Sequence, residues 1–69
     1  MRVLYLWDYK KSERVRWGYV GNDNMLALNA VVHNFGNWER IITSKHWEND
    51  EVDFIDNKSG LYAGWIVKE

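Results

Sequence analysis

Apolar residues alternate with other residues along two segments at the start of the chain. Residues 2–9 place an aromatic or β-branched side chain at every odd position from Val3 to Tyr9, with leucines at two even positions. This pattern predicts a strand that is apolar on both faces and therefore central in a sheet. Residues 14–20 alternate apolar side chains with two arginines, which predicts a strand with one packed face. The polar turn at residues 10–13 joins the two strands into an antiparallel hairpin.

The apolar spacing then changes from two to three and four residues, which is typical of a helix. One stripe contains the apolar side chains of Met25, Leu28, Val31, Val32 and Phe35. The polar residues 21–24 offer several N-caps, and Gly36 stands where a helix would end. A strand is the alternative for this segment, because alternate residues from 26 to 32 are also apolar.

The last part of the chain contains the clearest hairpin. Residues 51–56 and 61–67 are predicted strands, and the turn between them ends at Gly60, which suits a left-handed backbone. Residues 38–43 favour a strand over a short helical turn, and residues 45–50 are a predicted polar loop.

Together these elements predict an α+β fold in the order ββαβββ. A mostly antiparallel sheet of four or five strands would carry the single helix on one face. A small all-β barrel is the alternative if the helical segment is a strand. The chain of 69 residues has room for a single domain that spans residues 1–69.

The aromatic content predicts how so short a chain builds a core. It has no cysteine for disulfides, but it has five Trp, four Tyr and two Phe. Aromatic side chains bury large apolar areas, so we expect most of them inside. The residues predicted to face inward are Val3, Tyr5, Trp7, Val15, Trp17, Leu61, Ala63, Trp65 and Val67. The chain has no apolar run long enough for a membrane span and no signal-peptide pattern, which predicts a cytoplasmic protein without membrane contact.

No constellation of residues in the sequence indicates catalysis, a metal or a cofactor. His33 and His46 lie too far apart in sequence for a helical ligand pair, and the acidic residues that follow His46 lack the order of a calcium loop. The serines have no nucleophile motif, and no glycine-rich phosphate loop is present. We therefore expect a protein that is not an enzyme and that has no cofactor.

Charge is divided unevenly along the chain and indicates two classes of partner. Residues 1–45 carry seven Lys or Arg and four Asp or Glu, a balance of +3, whereas residues 46–69 carry two and six, a balance of −4. The leading interpretation is a small protein-interaction module, of the inhibitor or modulator type, that uses the acidic part and nearby aromatics. The candidate partner-binding residues are Trp38, Trp47, Glu48, Asp50, Glu51, Asp53 and Tyr62.

Two alternatives use other parts of the molecule. A nucleic-acid-binding module would use the basic first hairpin through Lys10, Lys11, Arg14 and Arg16. Strict alternation would place Trp17 and Tyr19 opposite the arginines, so rings and charges would not share a surface, which argues against this alternative. A homodimer that pairs its sheet edges is the other alternative. A short, cysteine-free, Asn-rich chain without catalytic motifs is also typical of phage or mobile-element accessory proteins.

Overall fold

The protein forms an open five-stranded antiparallel sheet with one helix, as a computed structural model that describes residues 1–35 and 42–69 shows. Its elements are β1 (Arg2–Asp8), β2 (Glu13–Tyr19), α1 (Asn24–Phe35), β3 (Ile42–His46), β4 (Val52–Asp56) and β5 (Tyr62–Lys68). The strands lie in the order β2-β1-β5-β4-β3, with every neighbouring pair antiparallel. The predicted ββαβββ layout is confirmed, and the sheet is not a closed barrel.

Helix α1 packs on one face of the sheet and covers an aliphatic core. Its buried residues Ala27 and Val31 lie above leucines of β1 and the inward side chains of β4 and β5. The buried cluster consists of Leu4, Leu6, Val20, Ala27, Val31, Val52, Phe54, Ala63 and Ile66. Among the described aromatic side chains only Phe54 is buried. The prediction of an aromatic core is therefore wrong.

The predicted inward-facing residues divide into three groups. Val3 and Ala63 are buried as expected. A second group is partly exposed on the face opposite the helix and consists of Tyr5, Trp7, Trp65 and Val67. The third group is exposed and consists of Val15, Trp17 and Leu61. The helix selects the leucine side of β1, because small and aliphatic residues allow it to approach the sheet closely.

Two irregularities in strand pairing explain why alternation mispredicts the faces. Tyr5 and Leu4 are adjacent on β1, but their partners on β2 are Arg16 and Gly18, which are two residues apart. Trp17, between those partners, is therefore an extra residue of β2. On β5, the pairing shifts in the same way around Ala63. One extra residue reverses the faces of everything that follows it in the strand. Tyr19 therefore lies on the same face as Arg16.

The helix begins at a capped N-terminus. The Asp23 carboxylate accepts a hydrogen bond of 3.0 Å from the backbone N–H of Leu26, which satisfies one of the free donors of the first turn. The predicted helix is confirmed, but its buried stripe is centred on Ala27 and Val31. Met25, predicted within the stripe, lies in the first turn of the helix and is 63% exposed.

The third strand differs from its prediction. Lys45 and His46, expected in a loop, belong to β3, where they pair with Asp53 and Val52. Trp38 and the predicted helix end at Gly36 lie outside the described residues. In the part of the chain that the structure describes, no helix is long and apolar enough to cross a membrane.

Candidate ligand-binding face

The sheet face opposite helix α1 carries most of the aromatic side chains, and we call it the open face. Strand register places on it Val3, Tyr5, Trp7, Arg14, Arg16, Tyr19, Lys45, Asp53, Ile55, Trp65 and Val67. Ring contacts add Tyr9, Trp47 and Tyr62. All four tyrosines of the chain therefore belong to this face. An uncovered sheet face of this composition is the most distinctive surface of the described structure.

One row of side chains crosses all five strands of the open face. Directly paired residues give it the order Arg16, Tyr5, Trp65, Asp53, Lys45. The two rings stand at the centre of the row and the charges at its ends. Neighbours across a strand pair lie about 5 Å apart, so a ligand on the two rings also reaches charged groups.

Four rings form a connected cluster beside this row. Trp7 stacks on Trp65 with ring centroids 6.2 Å apart and planes inclined by 30°. Tyr9 meets Trp7 edge-on at 6.4 Å, and Tyr62 meets Trp65 in the same manner at 6.4 Å. The Tyr9 hydroxyl donates a 2.7 Å hydrogen bond to the Tyr62 carbonyl, which joins the ends of the cluster. These contacts hold the rings in place on the sheet.

Two arginines of β2 stack on tyrosine rings of the same face. The Arg14 guanidinium lies 4.5 Å from the Tyr5 ring centroid, and that of Arg16 lies 4.9 Å from the Tyr19 centroid. Both distances are within cation–π range. The expectation that rings and positive charges occupy opposite surfaces is wrong, because the extra residue at Trp17 turns Tyr19 toward the arginines.

A carboxylate from the end of β5 lies against this arginine–tyrosine group. Glu69 accepts a hydrogen bond from the Tyr5 hydroxyl and pairs with Arg16 at 3.7 Å between Oε1 and Nη2. The hydrogen bond to Glu69 raises the pKa of Tyr5, because it favours the neutral phenol. The Arg16 side chain is 44% exposed, so solvent screens this ion pair.

The predicted acidic site lies at the turn between β3 and β4. There Glu48 is exposed, whereas the Asp50 backbone carbonyl accepts a 2.9 Å hydrogen bond from Arg2. Glu51 is partly buried and accepts a hydrogen bond from Asn49. These carboxylates belong to the turn that joins β3 and β4, the two strands on the opposite side of the sheet from β2.

Trp47 is half exposed beside that turn, and two contacts fix its ring. Its indole N–H donates a 2.8 Å hydrogen bond to Asp53, and the Lys45 ammonium lies 4.4 Å from the ring centroid. The Trp47 side chain is 47% exposed, and its selection as a contact residue stays a prediction. Tyr62, at 54% exposure, belongs to the ring cluster and not to the acidic turn.

The four basic candidates of the first hairpin separate into two pairs. Arg14 and Arg16 lie on the open face, whereas Lys10 and Lys11 lie in the turn between β1 and β2. The backbone N–H groups of both lysines donate to the Asp8 carboxylate, which fixes the turn. Of the partner-binding candidates, Trp38 lies outside the described residues.

Sequence reasoning missed the functional potential of Tyr5, Trp7, Trp65 and Glu69. The signal was present in β1, where aromatic residues occupy the odd positions and leucines the even ones. A helix that presents Ala and Val to the sheet packs best on the leucine side, which leaves the rings on the other side. No comparable signal in the sequence indicates Glu69, since its position depends on the β1–β5 register.

Neither a metal cluster nor a similar protein assists the functional assignment. Within residues 1–35 and 42–69, no group of three or more His, Asp or Glu side chains is placed to hold a metal ion together. Comparison of the chain with protein-family models, curated proteins and solved structures gives no match. Function is therefore inferred from the open face.

Proposed function

We propose that the protein is a non-enzymatic module that binds single-stranded nucleic acid on its open face. The observation that carries this proposal is that two arginines lie stacked on tyrosines beside a Trp7–Trp65 pair, all on one sheet face that no described element covers. The sequence argued against nucleic acid partly because strict alternation placed rings and arginines on opposite faces, and the register of β2 removes that objection.

Aromatic rings and arginines together supply the base stacking and the phosphate contacts that bind a single strand. Unpaired bases stack on aromatic side chains or on guanidinium planes, and each stacked base contributes about 1–3 kcal/mol. Positive side chains meanwhile contact the phosphates. Sheets that use exposed aromatics in this way are a common means of single-strand recognition.

The shape of the surface favours a single strand over a duplex. The major groove of a duplex admits a protruding helix or a two-stranded ribbon. Here α1 is packed on the sheet, with Ala27 and Val31 fully buried, and the rings lie on the sheet face opposite it. Bases must leave the base pair to reach rings held in this way, and the bases of a single strand are already unpaired.

The distribution of charge limits the expected affinity and favours one part of the open face. The chain has a net charge of −1, so phosphate attraction is weak, and it falls with salt in proportion to the number of phosphates contacted. Acidic residues concentrate at the β3–β4 turn, which repels phosphates. The ligand therefore lies over β2, β1 and β5, where Arg14 and Arg16 stand.

Two substitutions on the open face are expected to weaken binding of a labelled oligothymidylate of about 15 nucleotides, a length matched to small single-strand sites. Arg14→Glu reverses a charge beside Tyr5, and a loss of at least about tenfold is expected at low salt. Tyr19→Ala removes a stacking ring, with an expected loss of about 5- to 150-fold. Fluorescence anisotropy measures both.

Matched controls lie elsewhere on the surface. Lys58→Glu makes the same kind of charge reversal in the β4–β5 turn, and Leu61→Ala truncates a side chain that is 55% exposed, against 56% for Tyr19. We expect both controls to bind like the wild type. The proposal fails if the wild type gives no anisotropy change at low salt, or if the controls lose as much affinity as the open-face variants.

A protein partner at the acidic turn is the second candidate, and the half-exposed Trp47 ring favours it. An exposed tryptophan flanked by carboxylates suits a basic groove on a partner protein. Capture from host lysate is expected to recover one partner, and Trp47→Ala to lose it. Trp17→Ala is the matched control, because Trp17 is 46% exposed.

Equal recovery by the two variants would contradict the second candidate. Sedimentation of the free protein separates a foreign partner from a second copy that pairs sheet edges, since a monomer has a mass of 8.3 kDa. A mass of twice that value would favour the homodimer.

A further inference from the structure

We propose that the Glu69 carboxylate occupies the position on the open face that a ligand phosphate takes, so that Glu69 competes with the ligand. This inference rests on the proposed function and adds to it a defined anion subsite and a built-in competitor. The subsite consists of the Tyr5 hydroxyl and the Arg16 guanidinium, with Arg14 adjacent above the Tyr5 ring.

The contacts of Glu69 are those that a phosphate would make. One carboxylate oxygen accepts from the Tyr5 hydroxyl, and the other lies 3.7 Å from Arg16 Nη2. Phosphate and carboxylate oxygens are both acceptors for such donors, and arginine is well suited to both. A carboxylate held by a hydroxyl and a guanidinium thus shows where the face accepts an anion.

The surroundings of the subsite favour exchange over a permanent structural contact. Glu69 is 42% exposed and Arg16 is 44% exposed, so water reaches the pair. Exposed ion pairs contribute little to stability, and a ligand with several phosphates replaces this one readily. The backbone of Glu69 is held separately, because its N–H donates to the Met1 carbonyl at 2.7 Å. The side chain therefore turns away without unpairing β5.

Rings lie directly beside the subsite, which explains why a nucleotide fits better than a free anion. Tyr5 is paired with Trp65 across β1 and β5, and Trp65 stacks on Trp7. A phosphate at Arg16 and Tyr5 therefore places its attached base within reach of this pair.

Removal of the Glu69 charge tests the competition. Glu69→Gln is expected to bind the labelled oligothymidylate about 3- to 10-fold more tightly at low salt, because the phosphate no longer has to displace a carboxylate from Arg16. Glu48→Gln is the control, because it removes one exposed carboxylate of the β3–β4 turn and leaves the subsite unchanged.

The outcomes separate this inference from the proposed function. Binding by the wild type with equal gains in the two Gln variants would overturn the competition and leave the nucleic-acid proposal intact. No binding by any of the three proteins would overturn the proposed function.

A second probe tests the subsite without a nucleic acid. Tripolyphosphate is expected to shift the backbone amide signals of Tyr5 and Arg16 in Glu69→Gln, and to shift them less in the wild type. The double variant Arg16→Gln/Glu69→Gln is expected to lose the response. Equal responses in wild type and Glu69→Gln would overturn the inference, whatever the oligothymidylate result.

Discussion

Replacement of Asp56 by alanine is expected to lower the free energy of unfolding by about 3 kcal/mol, because the substitution removes the hydrogen bonds that Lys58 and Ser59 make to a buried carboxylate, each worth roughly 1.5–3 kcal/mol. Asp56 is fully buried at the end of β4. Its Oδ1 accepts from the backbone N–H of Lys58 at 3.1 Å, and its Oδ2 accepts from the Ser59 hydroxyl at 3.0 Å. Loss of the carboxylate leaves these turn donors without their acceptor.

The turn that Asp56 organises sets the register of the central strands. Its backbone N–H donates to the Leu61 carbonyl at 2.9 Å, and its own carbonyl accepts from the Gly60 N–H at 2.7 Å. Gly60 has a φ of 74°, which glycine adopts without a steric cost. Since β5 lies between β1 and β4, a loosened turn weakens the middle of the sheet.

Urea denaturation followed by tryptophan fluorescence measures the effect of Asp56→Ala. Asp56→Asn keeps an acceptor for the Lys58 N–H and is expected to lose less stability. Glu48→Ala also removes one carboxylate, but an exposed one, and is expected to change stability by less than about 0.5 kcal/mol. An unfolding midpoint for Asp56→Ala equal to that of Glu48→Ala would contradict this account.

The Asp56–Gly60 turn is also where sequence reasoning was most successful, because local chemistry determines it. An aspartate at the first position and a glycine at the left-handed position define the turn without information from the rest of the chain. The helix was predictable for a similar reason, since residues 22–24 supply a cap and the apolar period changes after them. The order of elements followed from these local signals.

The faces of the strands were not predictable in the same way, because they depend on single extra residues. Trp17 and Ala63 each interrupt a regular pairing, and alternation counted through either of them assigns the wrong face. Whether a bulge forms depends on the partner strand and on the packing of the helix. These are contacts between residues distant in sequence.

The prediction of where the aromatic side chains lie was wrong for a different physical reason. A short chain without disulfides was expected to use its largest side chains inside. Instead the core is built from aliphatic side chains and Phe54, with a glycine in the sheet below the helix. The Phe54 ring fills the helix side of the sheet, and the rings of β1 and Trp65 lie on the open face. The candidate ligand surface is in this sense a consequence of how the core is packed.

Gly64 is the position where core and open face depend on each other, and Gly64→Ala is expected to lower the free energy of unfolding by about 2–3 kcal/mol, near the upper end of the cost of overpacking. A Cβ at this position would lie 2.7 Å from the Tyr5 carbonyl oxygen and 3.2 Å from a Val31 methyl. The methyl belongs to a side chain, but the carbonyl is backbone. Relief of the clash therefore requires β1 to move at Tyr5.

Movement of β1 at Tyr5 also displaces the ring and hydroxyl that Tyr5 presents on the open face. Gly64→Ala is thus expected to reduce both the melting temperature, by roughly 4–8 °C for each kcal/mol, and the affinity for the oligothymidylate. Gly60→Ala is the comparison, because its Cβ meets no atom within 4 Å and its only cost is the left-handed backbone. We expect Gly60→Ala to lose stability but to keep its affinity.

The double variant Val31→Ala/Gly64→Ala identifies which neighbour causes the loss. Removal of the Val31 methyls relieves the contact with the helix but leaves the contact with the Tyr5 carbonyl, so we expect the double variant to be no more stable than Gly64→Ala. Recovery of stability would show instead that the helix sets the limit. In that case the Tyr5 ring would stay in place, and Gly64→Ala would bind the oligothymidylate as the wild type does. Thermal unfolding and anisotropy decide between the two explanations when measured on the wild type, Gly64→Ala, Gly60→Ala and the double variant.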